Sequence, residues 1–130
     1  MSDFIGNFLT IIRNAQRANK ERVTVRTSRL AYRLAEILKR EGYIENCKLV
    51  DEGKKRFVRI HLKYRKGNAP AIRNLKRLST PGRRLYVHCD RIPRALNGFG
   101  LTIVSTSRGI LTDREARQQR VGGELLCQVW

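Results

Sequence analysis

Acidic side chains are scarce in this chain of 130 residues. Aspartate and glutamate number 11 against 28 lysines and arginines, which leaves a net charge of +17 and a pI near 11.0. Hydrophobic residues still make up 41% of the sequence, enough to build a core. Aromatic residues are few as well, with four tyrosines, four phenylalanines and one tryptophan. The composition indicates a folded polyanion-binding protein that recognises structured RNA by shape rather than by stacking many single-stranded bases.

Cysteine is also rare, and its three positions, Cys47, Cys89 and Cys127, lie far apart with no CxxC pair. An odd, scattered set argues against a disulfide framework and a zinc site and fits a reducing compartment. His88 precedes Cys89, but adjacent strand residues point to opposite faces, so we expect them not to share an ion. The prediction is no metal and no cofactor.

No hydrophobic run is long enough to span a bilayer, and Asp3 stands where a signal peptide would carry positive charge. We therefore expect a protein that is not exported. An anionic membrane is the competing polyanion, and binding it would require a basic amphipathic helix. Here the basic residues alternate with Val58, Ile60 and Leu62 at strand spacing. The pattern favours nucleic acid over a membrane partner.

Catalytic motifs are absent: the sequence has no GxSxG elbow, no P-loop and no HExxH. Asp90 and Asp113 are predicted helix caps, and Glu124 begins a strand. Ser107 as a nucleophile would need a base that the sequence does not nominate. We expect no enzyme, no catalytic residue and no small-molecule substrate.

The first half of the chain predicts a helix, strand, helix, strand, strand module over residues 1–64. Its first helix, capped by Ser2 or Asp3, carries an apolar stripe, and its second begins at Ser28 and ends at Gly42. Strands are predicted at 22–26, 44–50 and 57–64. A three-stranded sheet with two helices on one face would leave a basic row solvated, with His61 partly exposed; the row is Phe57, Arg59, His61 and Lys63.

The polar segment 65–70 contains glycine and proline and is predicted to be a linker. Residues 71–130 predict a second module, mostly antiparallel β with short helices, so the fold class is α+β. The segment 71–79 is expected to end in a strand, and further strands are expected at 84–88, 101–105 and 124–130, with a Pro81-Gly82 turn. Asp90 is expected to cap a short helix with Pro93 in its first turn, and Asp113 a helix to about 120.

Charge is concentrated in the middle of the chain, where residues 53–94 contain only one acid, Asp90. Phosphate supplies the fixed negative charge that such a stretch needs, and the release of condensed cations makes the binding sensitive to salt. The basic residues of this stretch are Lys54, Lys55, Arg56, Arg59, Lys63, Arg65, Lys66, Arg73, Lys76, Arg77, Arg83, Arg84, Arg91 and Arg94.

Two further patterns are candidates for RNA contact. The loop Ser105–Gly109 (Ser105, Thr106, Ser107, Arg108 and Gly109) offers hydroxyls to RNA 2′-hydroxyl groups and a guanidinium to phosphate. A solvated hairpin turn is the alternative interpretation. Tyr86 follows Arg83 and Arg84 and could stack on an unpaired base, although a half-buried strand tyrosine is the commoner case.

The run from Ser105 to Arg117, followed by Gly122 to Cys127, resembles the signature of the eighth small-subunit ribosomal protein family, bacterial and organellar type. Shorter similarities lie at 11–15, 41–44, 81–86 and 92–93. The resemblance implies a primary-binding protein of the small ribosomal subunit that recognises an irregular helix in the central domain of the small-subunit rRNA. It implies a role in subunit assembly and translation rather than catalysis.

The resemblance also implies which residues bind RNA. The main contacts would come from the loop Ser105–Gly109, from Tyr86 after the proline-glycine turn, and from Glu124, which would orient the loop or accept hydrogen bonds from RNA. The first helix would add Arg13, Asn14 and Arg17. Implied partners are the rRNA and neighbouring small-subunit proteins, and some bacterial members of the family also bind a messenger that mimics the ribosomal site.

Two positions depart from the family pattern: Thr80 stands where arginine is frequent, and Arg108 where lysine is frequent. Arginine can bind two phosphate oxygens where lysine acts as a point charge, so individual phosphate contacts would differ. Residues 112–117 and 127–130 look more like plastid and cyanobacterial members. This suggests a ribosome-bound protein of the plastid stroma, made inside the plastid because no transit segment is evident, with a cyanobacterial cytoplasm as the alternative.

Overall fold

The computed structural model describes residues 4–130, except for the side chains of residues 96 and 97. Backbone contacts group Asn7–Ile72 into one compact unit, the N-terminal unit, and Arg73–Trp130 with residues 4–6 into another, the C-terminal unit. Three helices and antiparallel sheets confirm the α+β class. The predicted caps Ser2 and Asp3 lie outside the described residues. No helix among the described residues is long and apolar enough to cross a membrane.

The two long helices follow the predicted apolar spacing. Helix α1 (Phe4–Arg17) buries Phe8, Leu9 and Ile12. Helix α2 (Arg29–Arg40) begins where predicted, because the Ser28 Oγ accepts a hydrogen bond from the Ala31 amide at 3.0 Å. It ends at Arg40, and Gly42, two residues further on, has a φ of +83° that suits glycine and marks the end of the helix as predicted.

Strands β1 (Arg22–Arg26), β2 (Ile44–Glu52) and β3 (Lys55–Leu62) form the predicted three-stranded sheet. It is antiparallel, with β3 in the centre. Val58, Ile60 and Leu62 of β3 are buried, and α2 packs against β2 and β3. Phe57, Arg59 and His61 lie on the other face of β3 and are half-buried rather than fully solvated as predicted, and Lys63, the fourth residue of the predicted row, lies beyond the end of the strand. His61 is thus partly exposed, as predicted.

The segment predicted as a linker folds differently. Strand β4 (Tyr64–Arg65) pairs with β5 (Ala69–Pro70) in a small hairpin that belongs to the N-terminal unit. Gly67 and Asn68 both have positive φ and form the turn, which is why this polar stretch can fold back on itself. Tyr64 was predicted to continue β3, but β3 ends at Leu62. The module boundaries stay a prediction.

The C-terminal unit is a five-stranded antiparallel sheet. Its strands are β6 (Leu75–Arg77), β7 (Tyr86–Val87), β8 (Leu101–Thr106), β9 (Gly109–Thr112) and β10 (Gly123–Val129). Strand β10 pairs with β8 on one side and with both β6 and β7 on the other, and β9 pairs with β8. A core cluster lies against the sheet: Ile92, Val104, Leu111, Ala116 and Leu125.

Three local predictions in this unit were wrong. Helix α3 (Asp113–Gln119) is capped by Thr112 rather than Asp113, because Thr112 and Glu115 form a reciprocal capping box. The helix predicted around Pro93 is two 3-10 turns, Cys89–Arg91 and Ala95–Gly98, with Pro93 between them. The strand predicted at 84–88 is shortened to β7, since only Tyr86 and Val87 pair with β10.

Candidate nucleic-acid interface

Strand register brings three of the predicted RNA-binding residues side by side. Glu124 on β10 lies opposite Tyr86 of β7 and opposite Ser105 of β8. Ser105 in turn pairs with Ile110 of β9. Directly opposed residues of antiparallel strands share a face. We call these four residues the cross-strand row.

The row faces away from the core of the C-terminal unit. Val104 and Leu125, which flank Ser105 and Glu124, belong to the buried cluster, and side chains alternate along a strand. Tyr86 is 67% exposed, so its ring is open to solvent. This contradicts the alternative expectation of a half-buried strand tyrosine.

Two adjacent glycines allow the strands to approach at one end of the row. A Cβ on Gly123 would lie 2.1 Å from the Ser105 carbonyl oxygen, and one on Gly122 would lie 2.3 Å from that of Val87. No side chain fits at either distance. The sequence showed this pair only as part of the family-like run from Gly122 to Cys127, and did not show that it lets β7 and β8 approach β10 so closely.

An ion pair fixes the acid at the centre of the row. The Arg84 Nη1 lies 3.2 Å from the Glu124 Oε2, with side chains 41% and 14% exposed. The carboxylate is thus partly neutralised and held close to Tyr86 and Ser105. Glu124 thus lies between Tyr86 and Ser105, and the two roles that the resemblance implies for it stay predictions.

The loop between β8 and β9 is closed by its own threonine. The Thr106 hydroxyl donates to the Gly109 carbonyl at 2.9 Å and accepts from the Arg108 amide at 3.1 Å. Gly109 has a φ of +105°, which a side chain rarely tolerates. Ser107 and Arg108 are left exposed at the tip. Thr106 shapes the loop, while Ser107 and Arg108 face solvent.

The predicted proline-glycine turn is confirmed next to the row. Thr80 and Arg83 exchange backbone hydrogen bonds of 2.9 and 3.1 Å around Pro81 and Gly82. Arg83 is exposed at the end of this turn and Arg84 follows it towards Glu124. Both predicted arginines thus lie close in sequence to Tyr86 on the C-terminal unit.

The three candidates on α1 belong to the N-terminal unit. Asn14 and Arg17 are exposed and Arg13 is half-buried. The strand register does not connect them with the cross-strand row. Ile110, by contrast, completes the row beside Ser105 and was missed, because its place depends on the β8–β9 register.

His88, Cys89 and Asp90 lie closer together than predicted. The His88 Nδ1 is 2.5 Å from the Asp90 Oδ1 and 3.6 Å from the Cys89 Sγ, and ligand atoms of all three lie within 4.8 Å of one another. The hydrogen bond from His88 holds the pKa of Asp90 below its usual value. The side chains converge because the backbone turns into a 3-10 helix here instead of continuing as a strand.

Burial raises the pKa of two of the three cysteines. Cys127 lies on β10, three residues beyond Glu124, and burial raises the pKa of its thiol to about 12. Cys47 is half-buried, and burial raises its pKa as well. All three cysteines are free, which agrees with their predicted role as small core or surface residues.

The chain is similar over nearly its whole length to known proteins of one family. The model of the family described as Ribosomal protein S8 matches residues 3–130. Small ribosomal subunit protein uS8 of Anaeromyxobacter sp. strain K is 52% identical over 129 residues, covering 99% of this chain and 98% of the relative. The same protein of Moorella thermoacetica is 49% identical over 130 residues, covering both chains completely. That of Syntrophobacter fumaroxidans is 48% identical over 130 residues, covering 100% of this chain and 98% of the relative.

These relatives are bacterial ribosomal proteins and match along their whole length. The match also extends over both units, including the cross-strand row and the loop. The chain therefore belongs to the ribosomal protein S8 family, whose members are structural, non-enzymatic constituents of the small ribosomal subunit.

Proposed function

We propose that the cross-strand row and the loop Ser105–Gly109 bind an irregular helix in the central domain of the small-subunit rRNA. The observation that carries the proposal is the register that sets Tyr86, Glu124 and Ser105 side by side on a solvent-facing sheet surface. An exposed ring can stack only on a base that leaves its helix, which a perfect duplex does not offer.

The loop supplies the second part of the recognition. Ser107 is exposed, and Ser105 is half-buried at the loop's base. Their hydroxyls are donors and acceptors suited to the 2′-hydroxyls that line the RNA minor groove. Arg83 and Arg108 are exposed cations that would contact phosphate. Hydroxyls and the ring then provide specificity, and the arginines provide affinity.

The test is binding of the full chain to the isolated irregular helix and to a perfect duplex of equal length, each over a salt series. We expect a preference for the irregular helix that persists at high salt, because stacking and hydroxyl contacts release few counterions. Equal affinities that fall together with salt would contradict the proposal.

Ser105→Ala and Ser107→Ala sharpen this test. Each removes one hydrogen-bonding group, so we expect a loss of about 5- to 10-fold on the irregular helix and no loss on the duplex. Gln118→Ala is the matched control, since Gln118 is an exposed neutral residue on α3 of the same unit. If the serine variants weaken both RNAs equally, the row and loop do not provide specificity.

Two finer assignments rest on the resemblance and belong to the same proposal. Binding to the protein's own messenger would use the same row, and the messenger segment should then compete with the irregular helix for one site. A plastid stroma as the compartment is supported by residues 112–117 and 127–130, while the bacterial relatives favour the alternative of a bacterial cytoplasm. Fractionation of ribosomes from the source cell would distinguish the two compartments.

A further inference from the structure

A second basic surface lies on the N-terminal unit, on the face of the three-stranded sheet opposite its buried residues. The register aligns three rows of three residues across β1, β3 and β2. We call these nine residues the open sheet face: Arg22, His61 and Asn46; Thr24, Arg59 and Lys48; Arg26, Phe57 and Val50.

Charge on the open sheet face is of one sign. Arg59 lies at its centre, directly opposite Lys48, with Arg22 and Arg26 as diagonal neighbours on β1. Diagonal neighbours in an antiparallel sheet are about 7–8 Å apart, which is within a Debye length at physiological salt. None of the nine residues is acidic. Acids border the face at its ends, with Glu52 opposite Lys55 at the hairpin and Glu45 at the bulge of β2.

These cations are not neutralised within the described part of the chain. No ion pair between described residues includes any of the four cations, which are Arg22, Arg26, Lys48 and Arg59. The Arg59 Nε is buried and has no hydrogen-bond partner there. Like charges directly opposite each other in a sheet are destabilising, so Arg59 beside Lys48 works against folding. Local conflicts of this kind are expected at functional sites.

We infer that the open sheet face binds the phosphate backbone of a second rRNA segment, separate from the helix bound by the cross-strand row. Arg22, Arg26 and Lys48 are exposed, and arginine guanidinium groups match phosphate oxygens. The choice of RNA as the polyanion rests on the proposed function. The evidence for the open sheet face is its strand register and its charge, and neither depends on the cross-strand row.

The test compares two triple variants of the full chain. Arg22→Gln, Arg26→Gln and Lys48→Gln remove three charges from the open sheet face. The matched control, Arg29→Gln, Arg33→Gln and Lys39→Gln, removes the same charge from exposed positions on α2 of the same unit. Affinity is measured over a salt series for the complete central-domain RNA and for the isolated irregular helix.

On the complete domain, we expect the face variant to lose at least 10-fold more affinity than the control. Its plot of log K against log salt should also be shallower by about 2 to 3, as for the loss of three phosphate contacts. On the isolated helix the two variants should behave alike. The thermal midpoint of the face variant should stay equal or rise, because repulsion around Arg59 is relieved.

Equal losses for the two variants on the complete domain would overturn the inference. So would a face variant that binds RNA normally but fails to join small-subunit particles, since the occupant would then be a protein. Failure of the proposed function is distinguishable, because it appears on the isolated helix with the Ser105 and Ser107 variants, whatever the open sheet face does.

Discussion

The cross-strand row and the open sheet face are both antiparallel sheet surfaces, yet they are organised in opposite ways. In the row, Glu124 is paired with Arg84, the loop is closed by Thr106, and glycine backbones lie in close contact. On the open sheet face the four cations have no ion pair within the described residues. A preorganised surface suits recognition of one shape, and unpaired cations suit any phosphate backbone.

Gly123→Ala should have the largest effect, because it disturbs the close strand packing that distinguishes the cross-strand row from the open sheet face. Its Cβ would lie 2.1 Å from the Ser105 carbonyl oxygen, so β10 must move away from β8. We expect a loss of about 3 kcal/mol in the free energy of unfolding, measured with urea, and loss of the preference for the irregular helix. Gly82→Ala is the control, because nothing lies within 4 Å of its Cβ. Equal stability of the two variants would mean that the close approach is unimportant.

High pH should destabilise the folded chain through the buried thiol of Cys127. Burial raises the pKa of the Cys127 thiol to about 12, whereas a thiol in the unfolded chain has a pKa of about 8.5. Above the unfolded value the unfolded chain holds fewer protons, so the free energy of unfolding falls as pH rises towards 12. Between pH 8.5 and 10.5 we expect it to fall by about 2 kcal/mol more in the wild type than in Cys127→Ala. Parallel pH profiles would contradict this role of Cys127.

Thr106→Val tests whether the loop is shaped before RNA binds. The substitution keeps the volume and removes both hydrogen bonds that close the turn. We expect a loss of about 1 kcal/mol in stability together with weaker binding to the irregular helix. Ser107→Ala, at the exposed tip, should weaken binding while the urea midpoint stays unchanged. If Thr106→Val leaves both quantities unchanged, the loop does not depend on its threonine.

The Arg84–Glu124 pair should contribute least to stability. Both groups are partly exposed, so Arg84→Gln should change the free energy of unfolding by no more than about 0.5 kcal/mol. Arg84→Gln should instead weaken RNA binding. Arg84→Lys restores the charge but not the guanidinium geometry, so it separates the two contributions. A thermal melt and a binding curve for each variant separate the two effects. A large loss of stability in Arg84→Gln would show that the pair is structural.

Much of the fold was predictable because its signals are local. The apolar spacing of α1 and α2, the Ser28 cap and the Pro81-Gly82 turn depend on residues a few positions apart. One local prediction was wrong because two local signals compete. Thr112 and Asp113 are both residue types that cap a helix N-terminus, and Thr112 is the N-cap of α3 because it forms the capping box with Glu115.

The candidate site was only half predictable. Hydroxyls, cations and the tyrosine were identified from their types and from the family resemblance, and the register placed Tyr86, Glu124 and Ser105 together. The importance of Gly123 and the position of Ile110 could not be predicted, because both depend on which strands become neighbours. The open sheet face was visible as a basic row on one strand, but its partners on β1 and β2 were not.

The sequence by itself determined the charge, the two long helices, the Pro81-Gly82 turn and the alternation that divides the strands into two faces. These depend on composition and on steps of two to four residues along the chain. Tertiary structure alone decided which residues from separate strands face each other: Arg59 between Thr24 and Lys48 on one sheet, and Glu124 between Tyr86 and Ser105 on the other. The physical reason is that strand pairing is set by backbone hydrogen bonds and by burial of one face, which no single segment specifies.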